Sequence, residues 1–191
     1  VTHELKTPIA ITQLNLETLQ KRKLEEIQQN KLIQNTIQEA NRLNTLCNNI
    51  LLAAQIDAGS LQANHQEINF SELLQTCVQD FTIRYPQRKF IVKIQNNIFM
   101  LGEELLLQML ANNLIDNALK YTPAGGKILI QCGQQQGNFQ GIAISDTGPG
   151  IPPEDLEHLG ERHYRGVQAQ TAIPGTGLGI AIAKQLIAEM Q

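Results

Sequence analysis

The stretch Asn113-Leu114-Ile115-Asp116-Asn117-Ala118-Leu119-Lys120-Tyr121 closes a segment, residues 103–121, whose apolar residues recur at helical spacing. Asn113, Asn117 and Lys120 stand at positions i, i+4 and i+7 and therefore share one face of that helix. Asparagine oxygens are hard ligands suited to the Mg²⁺ that accompanies nucleotide phosphates, and a lysine adds a point charge for the same phosphates. Taken alone, however, two asparagines and a lysine are more often an ordinary solvated helix face.

The next motif along the chain, Asp146-Thr147-Gly148-Pro149-Gly150, directly follows a predicted strand. Gly148 and Gly150 allow the backbone to approach a ligand closely. The carboxylate of Asp146 can accept a hydrogen bond from an exocyclic amine such as that of adenine. The same residues also form a strong turn, so a simple strand-ending turn remains the alternative interpretation.

A further glycine motif, Gly175-Thr176-Gly177-Leu178-Gly179, opens the last predicted helix, residues 178–190. Bare amides at a helix N-terminus form a phosphate site. The motif lacks the lysine ending of a P-loop and does not directly follow a strand, so the P-loop and the dinucleotide-binding fingerprint are both excluded. The preceding residues 151–174 are rich in proline, glycine and charge, and a connection of that length predicts a lid.

Upstream of these motifs, strands alternate with helices. Short β-branched or alternating runs predict four strands, at residues 66–70, 90–95, 127–132 and 139–145. Ser71 is a suitable N-cap for a helix that continues to about residue 83. Strands and helices in this order predict an α/β sandwich with a mixed sheet.

Residues 1–58 contain one proline and no glycine, and their apolar residues form two helical stripes. The first stripe is Leu5, Ile9, Thr12, Leu16 and Leu19. The second, after a polar turn predicted for residues 21–30, is Ile33, Thr36, Ala40, Leu43, Cys47, Ile50 and Ala54, widened by Ile37, Leu46 and Leu51. Residues 57–60 are expected to end the second helix, with Gly59 at the C′ position. Two such wide faces cannot bury each other completely, which favours a dimeric four-helix bundle over packing on the rest of the chain.

The first of these helices begins with His3-Glu4-Leu5-Lys6-Thr7-Pro8. A neutral imidazole nitrogen is a good nucleophile, and an adjacent carboxylate can fix its tautomer and accept its proton. Thr7 lies one turn beyond His3 on the same face, where its hydroxyl can orient a water molecule. By spacing alone, a solvated surface pair of His3 and Glu4 is the plainer interpretation.

Composition excludes several classes of function. A net charge of −3 and 4% aromatic residues argue against nucleic acid as a partner. Three scattered cysteines without a CxxC pair argue against a zinc site or a disulfide framework. No apolar run approaches the ~20 residues of a membrane span, so we expect no direct membrane contact from this stretch. The start at Val1, directly on a motif, predicts a fragment of a longer protein.

Together and in this order, the four motifs resemble the catalytic core of a sensor histidine kinase. They resemble the H, N, G1 and G2 boxes of that family, at residues 3–8, 113–121, 146–150 and 175–179. The resemblance implies that residues 1–60 form the dimerisation and phosphotransfer hairpin, truncated at its N-terminus. It implies that residues 61–191 form an ATP-binding sandwich of the GHKL (Bergerat) type, truncated at its C-terminus. It further implies that the chain is the cytoplasmic portion of a membrane-anchored bacterial protein.

The resemblance also implies ATP as substrate, Mg²⁺ as cofactor, a homodimer, and the receiver domain of a response regulator as partner. His3 would be the phosphoacceptor with Glu4 as its base, and Thr7 would orient water when the regulator is dephosphorylated. Asn113 and Asn117 would organise Mg²⁺ and the phosphates. The other residues implied to bind the nucleotide are Lys120, Tyr121, Asp146, Gly148, Gly150, Gly175, Thr176, Gly177, Leu178 and Gly179.

One motif departs from the family pattern. The family's F box has two phenylalanines flanking Glu-Arg, whereas residues 159–165 here have Gly160 and His163. We interpret His163 as a substitution at an aromatic packing site. Two other functions stay open: another ATPase of the GHKL class, which would not need His3, and a degenerate, non-enzymatic dimeric docking scaffold.

Overall fold

The computed structural model describes residues 2–57, 66–134, 140–161, 164, 166, 177 and 179–189. The chain divides into two compact units, the first made mainly of residues 1–61 and the second mainly of the residues that follow. The first unit is a helical hairpin, and the second contains both strands and helices. The predicted succession of a helical hairpin and an α/β sandwich is therefore confirmed.

In the first unit, α1 (Thr2–Lys21) packs along α2 (Glu26–Asp57). The helix α2 ends at Asp57 as predicted, and Gly59 lies outside the described residues. The turn predicted to reach residue 30 is wrong, because α2 already begins at Glu26. Ile27 is 81% exposed, so this first turn of α2 has no buried apolar face that a periodic pattern would reveal.

The hairpin leaves large apolar side chains uncovered. Pro8 is buried, whereas Ile9 and Leu16 on the same helix are 42% and 52% exposed. The helix α2 likewise exposes Ile33, Ile37 and Leu51. The two helices therefore use only part of their apolar surface to pack against each other.

The second unit has a three-stranded mixed sheet and a separate two-stranded pair. In the mixed sheet, β4 (Lys127–Gln134) lies between a parallel neighbour, β2 (Lys89–Ile94), and an antiparallel neighbour, β5 (Gln140–Asp146). In the separate pair, β1 (Gln66–Asn69) runs antiparallel to β3 (Phe99–Gly102). The mixed sheet confirms the prediction, but β3 was missed.

Helices cover one face of this sheet. They are α3 (Phe70–Arg84) and α4 (Glu104–Tyr121). The helix α6 (Gly179–Glu189) packs against α4, and the short α5 (Pro153–Leu156) follows β5. Ile128 and Ile130 of β4 point into a core that also contains Leu74, Leu107 and Ile115. Each such buried side chain stabilises the fold by about 1.5–3 kcal/mol. Among the described helices, none carries an apolar stretch sufficient to cross a bilayer.

Ser71 does not cap α3. The N-cap is Asn69, whose side chain accepts a hydrogen bond from the amide of Glu72. Ser71 is 2% exposed, and its hydroxyl donates to the carbonyl of Gln95 at 2.6 Å and accepts from the amide of Ile98 at 2.9 Å. The predicted cap is wrong because Ser71 instead ties α3 to the loop between β2 and β3.

Candidate functional site

The polar face of α4 becomes more exposed toward the end of the helix. Asn113 is 9% exposed, Asn117 is half-buried, and the side chain of Lys120 is 40% exposed. Lys120 forms an ion pair with Asp116, one turn earlier. The predicted shared face is present, and the burial of Asn113 does not fit an ordinary solvated face.

The N-terminus of α6 approaches this face at Asn113. A Cβ atom built on Gly179, the first residue of α6, would lie 3.4 Å from Oδ1 of Asn113. Gly177 has a φ of +68°, a conformation that favours glycine. Gly175, Thr176 and Leu178 lie outside the described residues. An amide oxygen therefore lies beside the first turn of a helix, whose amides have no partner within the helix.

Asp146 lies in the exposed turn that ends β5. Its Oδ1 accepts a hydrogen bond from the amide of Gly148 at 2.7 Å. Thr147 fastens the turn to β4, because the amide of Lys127 donates to its hydroxyl at 2.9 Å and its own amide donates to the Lys127 carbonyl at 3.1 Å. Gly150 has a φ of +76°. The turn is therefore real, and the second carboxylate oxygen of Asp146 can still accept a hydrogen bond from a ligand.

The C-terminal end of α4 lies against the same turn. A Cβ atom on Gly148 would lie 2.6 Å from the carbonyl oxygen of Tyr121 and 2.6 Å from Oδ1 of Asp146. A Cβ atom on Gly126 would lie 2.7 Å from the hydroxyl oxygen of Thr147. Any side chain at either glycine would force its neighbours apart. The sequence reasoning missed Gly126, for which the adjacent glycines after α4 were the available signal, and it gave Thr147 no role within its motif.

These features place two different kinds of chemistry along one helix. Eight residues separate Asn113 from Tyr121, which corresponds to about 12 Å along the axis of α4. Near Asn113, the start of α6 favours anionic groups. Near Tyr121, the carboxylate of Asp146 favours a hydrogen-bond donor. A nucleoside triphosphate that lies along α4 satisfies both ends.

The residues present also fit a hard divalent cation. In the part of the chain that the structure describes, no three His, Cys, Asp or Glu side chains cluster closely enough to hold a metal ion. Asn113 and Asn117 supply amide oxygens on one face of α4. Such neutral ligands suit Mg²⁺ that shares its remaining positions with phosphate and water.

The segment after the Asp146 turn is tied to itself by Tyr164. The hydroxyl of Tyr164 donates to Oδ1 of Asp155 at 2.6 Å, and Asp155 is 7% exposed. The ring of His158 lies 5.0 Å from that of Tyr164, and its Nδ1 lies 2.9 Å from Oε1 of Glu161. The predicted lid therefore begins with an anchored stretch, and most of residues 162–174 lies outside the described part.

The backbone conformation and the packing at position 160 explain why a glycine stands there. Its φ is +92°, and a Cβ atom there would lie 2.6 Å from Cδ of Lys184 on α6. The stem of Lys184 occupies the space that a side chain at this position would need. His163 lies outside the described residues, so its predicted packing role stays a prediction.

Tyr164 is expected to ionise at a higher pH than a tyrosine free in solution. Its hydrogen bond to Asp155 is the main cause that raises its pKa from 10.0 to about 12. Because the folded state holds the phenolic proton more tightly, the stability from this bond is complete below about pH 10 and is lost as pH rises toward 12. A titration of tyrosinate absorbance should show one late transition, absent in Tyr164→Phe. A parent chain and a Tyr164→Phe variant with the same late part of the titration curve would contradict this contact.

The predicted nucleophile lies in the other unit, near the start of α1. The side chains of His3 and Glu4 lie outside the described part of the structure. His3 occupies the same stripe of α1 as Thr7, Ala10 and Leu14, all of which are exposed. Thr7, Ala10 and Leu14 are therefore not among the residues that pack in the hairpin.

Two family models match the chain. Residues 1–59 match the His Kinase A (phospho-acceptor) domain. Residues 102–191 match the family of histidine kinase-, DNA gyrase B-, and HSP90-like ATPases. The two matches follow one another in the order of the two structural units.

Curated proteins and solved structures give consistent similarities. The chain is 29% identical to the sensor protein QseC of Salmonella typhi, with 96% of this chain and 40% of that protein covered. It is 32% identical to the signal transduction histidine-protein kinase/phosphatase MprB of Mycobacterium leprae, with 97% and 36% covered. The structure of the Acinetobacter baumannii histidine kinase AdeS is 25% identical, with a TM-score of 0.63 and coverage of 97% and 86%. The chain spans about two fifths of the length of these curated relatives.

Proposed function

The chain belongs to the sensor histidine kinases as a catalytic core, and we propose that it transfers the γ-phosphoryl group of ATP to His3. From His3 the group passes to an aspartate in the receiver domain of a response regulator. The observation that carries the proposal is the arrangement along α4, with Asn113 beside the start of α6 and Tyr121 beside the Asp146 turn.

The nucleotide is held by residues of the second unit. Asp146 accepts a hydrogen bond from the adenine amine through the oxygen opposite the one that holds Gly148. Tyr121 and Lys120 line the nucleotide, and the amides near Gly177 and Gly179 bind phosphate oxygens. Mg²⁺, when bound, neutralises charge on the phosphate oxygens, and Asn113 and Asn117 are the residues that would hold it.

The transfer is an in-line displacement at phosphorus. One imidazole nitrogen of His3 attacks the γ-phosphorus, an N–P bond forms, and the bond to the bridging oxygen breaks with its electron pair leaving on ADP. Glu4 accepts the proton that the imidazole loses. The chain's contribution is mainly the positioning and charge stabilisation of reacting groups.

The helix α1, which carries His3, also carries a residue suited to a second activity. The relative from Mycobacterium leprae is named a kinase and phosphatase. In this chain Thr7 is exposed one turn beyond His3, where its hydroxyl can orient water toward the phosphorylated aspartate of a docked regulator. We therefore include dephosphorylation of the regulator in the proposal. Location on the cytoplasmic side of a membrane anchor stays a prediction.

The exposed apolar surface of α2 supports a homodimer. Its residues recur at intervals of three, four and seven, the repeat of a helix–helix seam. They are Ile33, Ile37, Ala40, Cys47, Leu51 and Ala54. A second copy of the hairpin covers this stripe in a four-helix bundle.

Ile37→Glu should dissociate this dimer. Each copy loses about 1.5–3 kcal/mol of burial, and a symmetric dimer carries the change twice. Association should therefore weaken by at least about a hundredfold in sedimentation equilibrium. Ile27→Glu is the matched control, because Ile27 lies on α2 away from the stripe and is 81% exposed. Equal effects of the two substitutions, or a monomeric parent chain, would rule out this interface.

Incubation with γ-labelled ATP and Mg²⁺ tests the kinase itself. The expected product is a chain whose label is lost in acid and survives alkali, as the N–P bond of a phosphohistidine requires. Label that survives acid would indicate a hydroxyl ester and overturn the assignment. ATP turnover without label would favour another GHKL ATPase, and ATP binding with neither would favour a docking scaffold.

A further inference from the structure

Arg88 binds the end of the helix that carries the proposed nucleotide residues. It lies in the loop between α3 and β2, where its own amide donates to the carbonyl of Tyr85 at 2.9 Å. Its Nη1 donates to the carbonyl of Thr122 at 2.9 Å and to that of Pro123 at 3.0 Å. Its Nη2 makes a longer contact of 3.5 Å with the carbonyl of Leu119. One guanidinium thus satisfies three carbonyls at the C-terminus of α4.

The carbonyls at the end of a helix need donors from outside it. The last carbonyls of a helix lack partners within it, and they carry the negative end of its dipole. Both the amide and the hydroxyl of Thr122 bind the carbonyl of Ala118, the hydroxyl at 2.6 Å. Thr122 therefore supplies no donor to the carbonyls that follow Ala118. The amide of Gly126 donates to that of Pro123, and the fork of Arg88 adds donors to those of Leu119, Thr122 and Pro123.

The segment held by Arg88 also touches the Asp146 turn. Gly148 lies so close to the carbonyl of Tyr121 that no side chain would fit between them. Gly126 lies equally close to the side chain of Thr147. The amide of Gly126 in turn donates to the carbonyl of Pro123 at 3.0 Å. A shift of residues 119–126 would therefore move the turn whose carboxylate faces the ligand.

We propose that Arg88 is a positioning residue for the base end of the nucleotide site. It fixes the C-terminus of α4, and through that segment it fixes Asp146 without touching the ligand. The proposal rests on the proposed function, because it assigns the adenine amine to Asp146. A purely stabilising residue would affect the whole site when it is replaced. Replacement of Arg88 should instead leave the phosphate end of the site, near Asn113 and two turns earlier on α4, unaffected.

Arg88→Met keeps the length of the side chain and removes its donors. ATP affinity, measured by calorimetry with Mg²⁺, should fall about tenfold, while the affinity for inorganic tripolyphosphate stays within about twofold. Arg88→Lys retains a positive charge but not the forked set of donors, so its ATP affinity should lie between those of the parent chain and Arg88→Met. Arg84→Met is the matched control, because the guanidinium of Arg84 lies over the ring of Phe81 on its own helix, α3. It should leave both affinities unchanged.

A second measurement does not depend on ATP. The backbone amide resonances of Gly148 and Gly126 should shift in Arg88→Met and stay in place in Arg84→Met. If the parent chain bound no ATP, the proposed nucleotide role would fail, yet these resonances would still test the coupling. Equal loss of ATP and tripolyphosphate affinity, or unmoved Gly148 and Gly126 resonances, would overturn the proposal.

Discussion

Replacement of His3 by glutamine is expected to reduce phosphoryl transfer to background while ATP affinity stays within about twofold. Glutamine is similar in size and polarity, but its amide nitrogen has no available lone pair with which to attack phosphorus. The nucleotide residues lie in the second unit, so their contacts do not depend on position 3. Incorporation of γ-label into the protein and calorimetric binding of ATP would be measured side by side.

His158→Gln supplies the matched control, since it removes an exposed imidazole that pairs with Glu161 and has no assigned contact with the nucleotide or the phosphoryl group. Labelling should persist in that variant. Label that remained on the His3 variant would assign the acceptor to another residue. Loss of label in both variants would mean that folding, and not the nucleophile, had been changed.

Elements with a strong local period could be predicted from the sequence, and α4 is the clearest case. Most of its apolar residues are buried, and Asn113, Asn117 and Lys120 share one face because helical spacing alone requires it. The β-branched run at residues 127–132 likewise predicted a strand, and β4 covers it at Lys127–Gln134.

The errors arose where distant contacts override local preference. Ser71 has the chemistry of an N-cap, but its hydroxyl is used by Gln95 and Ile98, more than twenty residues away. The strand β3 has four residues and pairs with β1, some thirty residues upstream, so no local pattern announces it. The role of Arg88 could not be predicted from the sequence, because single arginines are common in polar loops.

The candidate site was predictable in its parts and not in its assembly. Glycine motifs indicated close backbone approach at residues 146–150 and 175–179. Which groups approach each other, such as Gly148 and the carbonyl of Tyr121, depends on how α4, β4 and β5 pack. Packing of this kind becomes visible only in three dimensions.

Asp146→Asn is expected to lower ATP affinity on the order of a hundredfold, because a charged hydrogen bond is worth about 1.5–3 kcal/mol. The amide oxygen of asparagine can still accept from Gly148, so the turn is retained. Its other terminus becomes a donor that faces the donor amine of adenine. Calorimetric titration with ATP, and with inosine triphosphate, which carries an acceptor at the same ring position, measures the effect.

The pair of nucleotides separates lost recognition from lost structure. If Asp146 reads the amine, the variant should favour inosine triphosphate over ATP, reversing the preference of the parent chain. A variant that merely disturbed the turn would lose both ligands together. Asp80→Asn, which removes the same charge from the exposed face of α3, should leave both affinities unchanged. If the Asp146 variant bound ATP as tightly as its parent, this carboxylate would not recognise adenine. The proposed orientation of the nucleotide along α4 would then be wrong as well.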